Sequence, residues 1–228
     1  MADATSVLRM RQAEAAFFAN YLRVLIEWDA RASVRIQQRG AVIGVWGAPP
    51  TECVSFIALP LSSAGEPLDA ITDRTVSAGR MRDCLGDVTA RPRGFAGRSI
   101  NVPEPVSGPI ELMRLPPKSD WEPGMTGTAD HVSPIIDAAI AEFRARVPED
   151  RNIERAQRVA DEIWSRPGWS GVPIRALHTA KSLGFLAKPD APVQALKHPG
   201  WSRFITPAGQ VFSPEEIGTL SLRLPNLN

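Results

Sequence analysis

Arg175, His178 and Lys181 stand at i, i+3 and i+6. On a helix they share one face, and a basic face of this kind can meet phosphates. Two helical patterns precede a hairpin pattern here, in the order of the second half of a winged helix. The third helix of the C-terminal unit would then be the recognition helix. The segment around Lys197, His198 and Arg203 would be the wing. From Arg151 to Arg203, nine Lys and Arg face Glu154, Asp161, Glu162 and Asp190, a local balance of +5 in a chain whose net charge is +1. Two observations weigh against this reading. A basic helix face is ordinarily just solvated, and the Arg166–Gly171 joint exceeds the roughly 3–4 residue turn of a helix-turn-helix.

Six tryptophans are a second source of chemistry. Trp121, Trp169 and Trp201 fall in loops or at turn edges. A loop indole either anchors a partner or plugs the core from outside. Trp121 and Trp169 are the candidate partner contacts on this ground. The segment Arg91–Arg98 sets three arginines and Phe95 among glycines, which suits either a clamp for an anion or a solvated loop.

Signatures of catalysis are missing. His131, His178 and His198 have no His or Cys within five residues. There is no HExxH, CxxC, P-loop or GxSxG pattern. Gly124-Met125-Thr126-Gly127 lacks the third glycine of a dinucleotide fingerprint. Asp161-Glu162 and Glu215-Glu216 are adjacent pairs, which diverge on a helix. Cys53 lies in an apolar strand pattern. Cys84 follows Arg80 and Arg82, whose charge favours a thiolate, near a helix C-terminus, which opposes one. No catalytic residue, metal ligand or cofactor is therefore assigned.

The elements that must carry these residues follow from periodicity. Residues 5–29 predict a helix with a wide aromatic stripe. Val34–Gln38, Ala41–Trp46 and Cys53–Leu59 predict three strands in an antiparallel meander, because Arg39-Gly40 and Gly47–Pro50 are too short for crossovers. Residues 68–85 predict a second helix. Residues 87–109 read as loop, 110–115 as a short strand, and 116–127, rich in Pro and Gly, as a linker. Residues 129–147, 152–165 and 172–186 predict three helices. Val193–Lys197, Ser202–Thr206 and Gln210–Phe212 predict short strands around Pro199-Gly200 and Ala208-Gly209.

Composition sets outer limits. The chain has 228 residues, 43% of them apolar and 22% charged, which excludes wholesale disorder. Folding at this length buries about 70% of the unfolded surface, enough for a real core. The small net charge argues against a polyanion-binding tail. Two cysteines cannot form a disulfide framework or a four-thiolate metal site. No apolar run reaches membrane-spanning length, and the N-terminus lacks the pattern of a signal peptide. A cytoplasmic location is expected.

The second half also carries a scatter of landmarks: Leu115-Pro116-Pro117 with Trp121, Val147-Pro148, Trp164 with Arg166-Pro167, Gly171-Val172-Pro173, Leu183-Gly184-Phe185-Leu186, and Trp201 with Arg203. In these it resembles a family of uncharacterised proteins from high-GC Gram-positive bacteria, over residues 110–212. That resemblance implies no activity and no site residues. Third helices in the family are rich in small residues, whereas this one carries Arg175, His178 and Lys181.

The sequence thus predicts an α+β protein. A helix–antiparallel meander–helix unit spans 1–109. A three-helix unit with a C-terminal hairpin, winged-helix-like in order, spans 110–228, and the two can share one core. The expected role is non-catalytic: an adaptor or regulatory protein with a protein partner, open to self-association. The alternatives are nucleic-acid binding through the winged-helix-like unit, by Arg175, His178, Lys181, Lys197 and Arg203, and an enzyme whose pocket only the fold assembles.

Overall fold

Alternation of buried and more open residues, broken at some strand ends, builds the first meander. Val34 and Ile36 in β2 (Ser33–Arg39), Ile43 and Val45 in β3 (Val42–Gly47), and Ile57 and Leu59 in β4 (Val54–Pro60) turn to the core. Gly40, at φ +56°, takes the left-handed conformation that a two-residue hairpin loop between β2 and β3 requires. The computed structural model describes residues 7–62, 73–86, 98–147 and 153–215. Before the meander come β1 (Val7–Met10) and α1 (Gln12–Trp28). After it, β5 (Arg74–Ser77) runs straight into α2 (Ala78–Leu85), whose start Ser77 caps by accepting from the Arg80 N–H at 3.4 Å. β6 (Arg98–Asn101) follows and pairs with β1 in a small separate sheet.

The second half repeats the strand–helix–meander order with extra helices. A short helix, α3 (Ile110–Met113), precedes β7 (Glu122–Thr128). Then come α4 (Ala129–Arg146), α5 (Ile153–Ser165) and α6 (Ile174–Ser182). The second meander is β8 (Pro192–His198), β9 (Trp201–Ile205) and β10 (Gln210–Pro214). The fold is α+β, with six α-helices and antiparallel sheets among the described residues.

The two meanders meet through their last strands. β4 pairs with β10 in the register Phe56↔Gln210, Ser55↔Val211 and Val54↔Phe212. The result is one eight-stranded sheet in the order β5-β2-β3-β4-β10-β9-β8-β7. Helices α1, α2 and α6 pack against it, α4 on α6 and β7, and α5 on α4 and α6. One apolar cluster draws on both halves, from Leu8 and Phe18 to Phe185 and Phe204. Ala139, Val159, Ile163 and Ile174 form a satellite between α4, α5 and α6.

Several sequence expectations need correction. Within the helix expected over 5–29, residues 7–10 are instead β1, where Leu8 and Met10 alternate inward, and residues 5 and 6 lie outside the described residues. Of the helix expected over 68–85, residues 74–77 are strand β5, and Leu68 and Ile71 lie outside the described residues. The strand expected at 110–115 is the single helical turn α3. Pro109 sets its N-cap, and Ile110 and Met113 face solvent around the buried Leu112. The linker expected at 116–127 contains β7, an edge strand held by its pairing to β8. Its Pro123 and the register shift after it are features of a sheet edge. The C-terminal strands are not a free wing, because β9 continues through β10 into β4. Most of the Arg91–Arg98 loop lies outside the described residues.

Tyr21 joins the layers. Its hydroxyl is 2.7 Å from Ser55 Oγ, and its ring stacks 6.4 Å from that of Phe185. Beneath it sits Gly47, where an added Cβ would stand 2.5 Å from the Tyr21 hydroxyl and 2.8 Å from Leu25 Cδ1. Neither neighbour has room to retreat, since both are buried. Gly47→Ala is therefore expected to lower stability in urea by about 2 kcal/mol through overpacking. Tyr21→Phe keeps the volume, loses one hydrogen bond, and is expected to cost less, about 1 kcal/mol.

Candidate functional site

One face of the sheet carries helices; the other carries aromatic rings. Trp46 and Phe56 are directly opposed on β3 and β4, with ring centroids 4.4 Å apart. Phe212 on β10 follows at 5.6 Å from Trp46. Trp121 lies 5.7 Å from Phe212 and 5.5 Å from His198. Gly44 lets the Phe56 ring lie flat on β3, because a Cβ there would come within 2.7 Å of Phe56 Cε2.

The segment before β7 supplies the wall. Arg35 Nη1 donates to the Leu112 carbonyl at 2.7 Å, and Trp121 Nε1 donates to the Pro117 carbonyl at 3.0 Å. Pro116, Pro117 and Lys118 thereby close a cleft of about 300 Å³ over Gly44, Trp46, Phe56 and Phe212. Arg39, Lys118 and Arg203 bring three cations to its lining, Gln37 and Gln210 bring amides, and among the described residues no carboxylate lines it.

Hydrogen bonds fix the floor. Gln37 Oε1 accepts from Trp46 Nε1 at 3.0 Å, while Gln37 Nε2 donates to Asp73 at 2.9 Å. Asp73 is itself held by Arg35, whose hydrogen bonds keep its carboxyl below the usual carboxylate range. Arg203 sits in mid-strand with its guanidinium carbon 5.3 Å from the Phe212 ring and 5.5 Å from the Trp121 ring. Both its Nε and Nη2 donate to Gln210 Oε1, at 3.1 and 2.8 Å. Burial lowers the pKa of this guanidinium. The chemistry on offer is an apolar slot with cationic hydrogen-bond donors at its side.

The remaining residues singled out from the sequence lie elsewhere. Arg175 is engaged inside the chain, donating to Glu52 at 2.6 Å, to Ser213 Oγ at 3.1 Å and to the Pro214 carbonyl at 3.0 Å. His178 is half-buried with its ring on Trp164 at 4.7 Å. Burial and then Lys181 lower its pKa, which favours the neutral ring. Lys181 is ion-paired with Asp137. Lys197 is exposed and its ammonium lies beside Gly171, away from the cleft. Trp169 is buried edge-on against Phe204. Of the candidates, the structure brings Arg203 and Trp121 together. It adds Trp46, Phe56, Phe212, Gln37, Gln210, Arg39 and Lys118, which no motif had marked.

The two thiols differ. Cys84 is exposed, whereas Cys53 is buried and burial pushes its thiol up to about 11. Among the described residues no three His, Cys, Asp or Glu side chains cluster as metal ligands, and no helix is long and apolar enough to cross a membrane.

Residues 3–101 match the model of a domain of unknown function, DUF8010, and residues 116–217 match that of another, DUF8185. No curated protein matches the chain in sequence. The fold is similar to that of DNA polymerase sliding clamps. A clamp from Pseudomonas aeruginosa aligns with a TM-score of 0.55 at 11% identity, over 96% of this chain and 65% of that one. The pol III beta of Caulobacter crescentus aligns at 0.56 and 12%, over 91% and 64%. A clamp from Bartonella birtlesii bound to griselimycin aligns at 0.55 and 11%, over 94% and 66%. This chain thus spans just under two thirds of the clamps it matches, and at such identities the likeness is one of fold.

Away from the cleft, α5 is tied to α4 by exposed charges. Arg146 and Arg166 each bridge Glu142 and Glu162 at 2.5–2.9 Å. Arg146, then Arg166, hold Glu162 down to about 2, and Arg166, then Arg146, lower Glu142. Carboxylates depressed on folding favour the docked state above their unfolded value of about 4.3. That contribution is lost as the pH falls toward about 2. Amide exchange, corrected for its intrinsic pH dependence, is expected to show α5 loosening across this window.

Proposed function

We propose that this chain is a non-catalytic binding protein that receives an extended segment of a partner protein in the cleft on its open sheet face. The observation that carries this reading is the row Trp46, Phe56, Phe212 and Trp121, set beside three cations with no carboxylate in the lining among the described residues. Aromatic residues and arginine are the side chains enriched where proteins bind one another. The lining is also arranged for binding, with each ring held by a strand or by a hydrogen bond, so little ordering cost remains at association.

The likeness in fold to DNA polymerase sliding clamps is compatible with a protein-binding or a DNA-associated role. The nucleic-acid alternative draws less support. Helices α1, α2, α4, α5 and α6 carry as many acidic as basic side chains, so they offer no strong positive field to a phosphate backbone. Arg175 and Lys181 already have acidic partners within the chain.

The test is a selection of random peptides, displayed as N-terminal fusions on phage, against the full chain. Val42 lines the cleft at 41% exposure, so Val42→Glu changes the slot without touching the core. Selected peptides are expected to share an aromatic or branched apolar residue, to bind Val42→Glu about tenfold more weakly, and to shift the Trp46 indole N–H resonance. Peptides that bind both proteins equally, or no enrichment at all, would count against the reading.

A further inference from the structure

Arg203 differs from the other arginines whose contacts the structure defines. Arg35, Arg146, Arg166 and Arg175 each meet a carboxylate. Arg203 meets none among the described residues, although it is drawn into an apolar setting. Its cross-strand neighbours are Phe212 on β10 and Leu196 on β8, and the Trp121 ring covers it from the wall segment. A guanidinium taken from water without a counter-charge is costly, and the cost is removed when an anion is bound. Gln210 offsets part of it through one neutral oxygen, which holds the fork in place and leaves Nη1 uncommitted among the described residues. Arg39, with no carboxylate in an ion pair among the described residues, and Lys118, which lies within electrostatic range of Asp73, stand on the same lining. Arg35 engages both oxygens of Asp73, which makes no ion pair with Arg203.

We infer that Arg203 is the anchor for an Asp or Glu side chain of the partner segment. That acidic residue sits next to the apolar residue that fills the slot over Trp46, Phe56 and Phe212. The inference rests on the cleft being the binding site and specifies its ligand. A carboxylate accepts two parallel N–H bonds from a fork of this kind, which a single amide oxygen does not reproduce. Lys118 and Arg39 add a field that raises the encounter rate and weakens with salt. The partner is thus an acidic, apolar peptide segment.

The experiment extends the peptide selection. Capped synthetic copies of selected peptides are titrated into the full chain, each as the acid and as its Asn or Gln counterpart. Selected sequences are expected to hold an Asp or Glu within two or three positions of the apolar residue. The amide copies are expected to bind about tenfold more weakly, and raising salt from about 50 to 300 mM to erase part of that difference. Arg203→Gln retains a side chain able to reach Gln210, and its thermal midpoint verifies folding. It is expected to bind acid and amide copies alike, the signature of a coupled pair. Binders enriched in apolar residues but without acids, or an acid preference that persists in Arg203→Gln, would overturn the anchor while leaving the cleft standing. Peptides that fail to distinguish Val42→Glu would remove the cleft and the anchor together. The comparison of acid and amide copies on the unaltered protein decides the point even if Arg203→Gln does not fold.

Discussion

The pairing of β4 with β10 is the constraint on which the rest depends. Each meander alone is three strands with one face to bury. Joined at Ser55↔Val211 and its neighbours, they share a single helix-covered face. Because side chains alternate, the same register that turns Ser55 and Val211 toward the helices turns Phe56, Gln210 and Phe212 outward. A slip of one residue would send Phe212 inward and replace it on the open face with a neighbour. Tyr21 enforces the register from the helix side. Its hydroxyl reads Ser55, its ring meets Phe185 from the second half, and Gly47 leaves it room.

An aromatic row on an open sheet face would ordinarily be a liability for aggregation. Here the chain partly covers it with its own residues 112–121. Arg35 grips Leu112 and Trp121 folds back on Pro117, so two prolines and an indole lie along the rings. The covering is incomplete over Gly44 and Phe56, and that gap is the cleft. The wall is built from a segment with two adjacent prolines, Pro116 and Pro117, whose rings fix backbone angles and so limit what a partner would have to order on binding.

Much of the architecture was legible in the sequence, for a definite reason. Residues 12–28, 129–146 and 153–165 show helical periodicity because each buries one stripe, and the meander strands alternate because each buries one face. Of the elements that were missed, β7 lacks that asymmetry and β1 is too short to display it. β7 is exposed along most of its length and is held by backbone bonds to β8, which leave no trace in side-chain type. β1 is four residues long and abuts a helix of similar apolar content. The site was less legible. Trp121 and Arg203 could be singled out as a loop indole and a basic residue near a turn, but their relation to each other could not. Trp46, Phe56 and Phe212 sit on three strands, and Phe212 is far from the others in sequence. The β4–β10 register is what brings Phe212 beside the other two. Trp169 shows the opposite case, a loop indole whose ring belongs to the core.

The basic excess of the C-terminal third also reads differently once folded. As a stripe it suggested phosphates, yet Arg166, Arg175 and Lys181 each find a carboxylate from another turn or another element. Such pairs hold α5, α6 and the β3–β4 loop in place and contribute little outside the chain. Arg203 is instead an oriented cation among rings, with Arg39 and Lys118 on the same lining. A cation held in this way contributes less to raw affinity than to choice, because a carboxylate that meets it must also lose its water. A segment with an amide or an apolar residue at that place would leave the half-buried Arg203 without a counter-charge. Recognition by avoidance of that state is a property of three adjacent strands acting together, and it follows from the same register that closes the sheet.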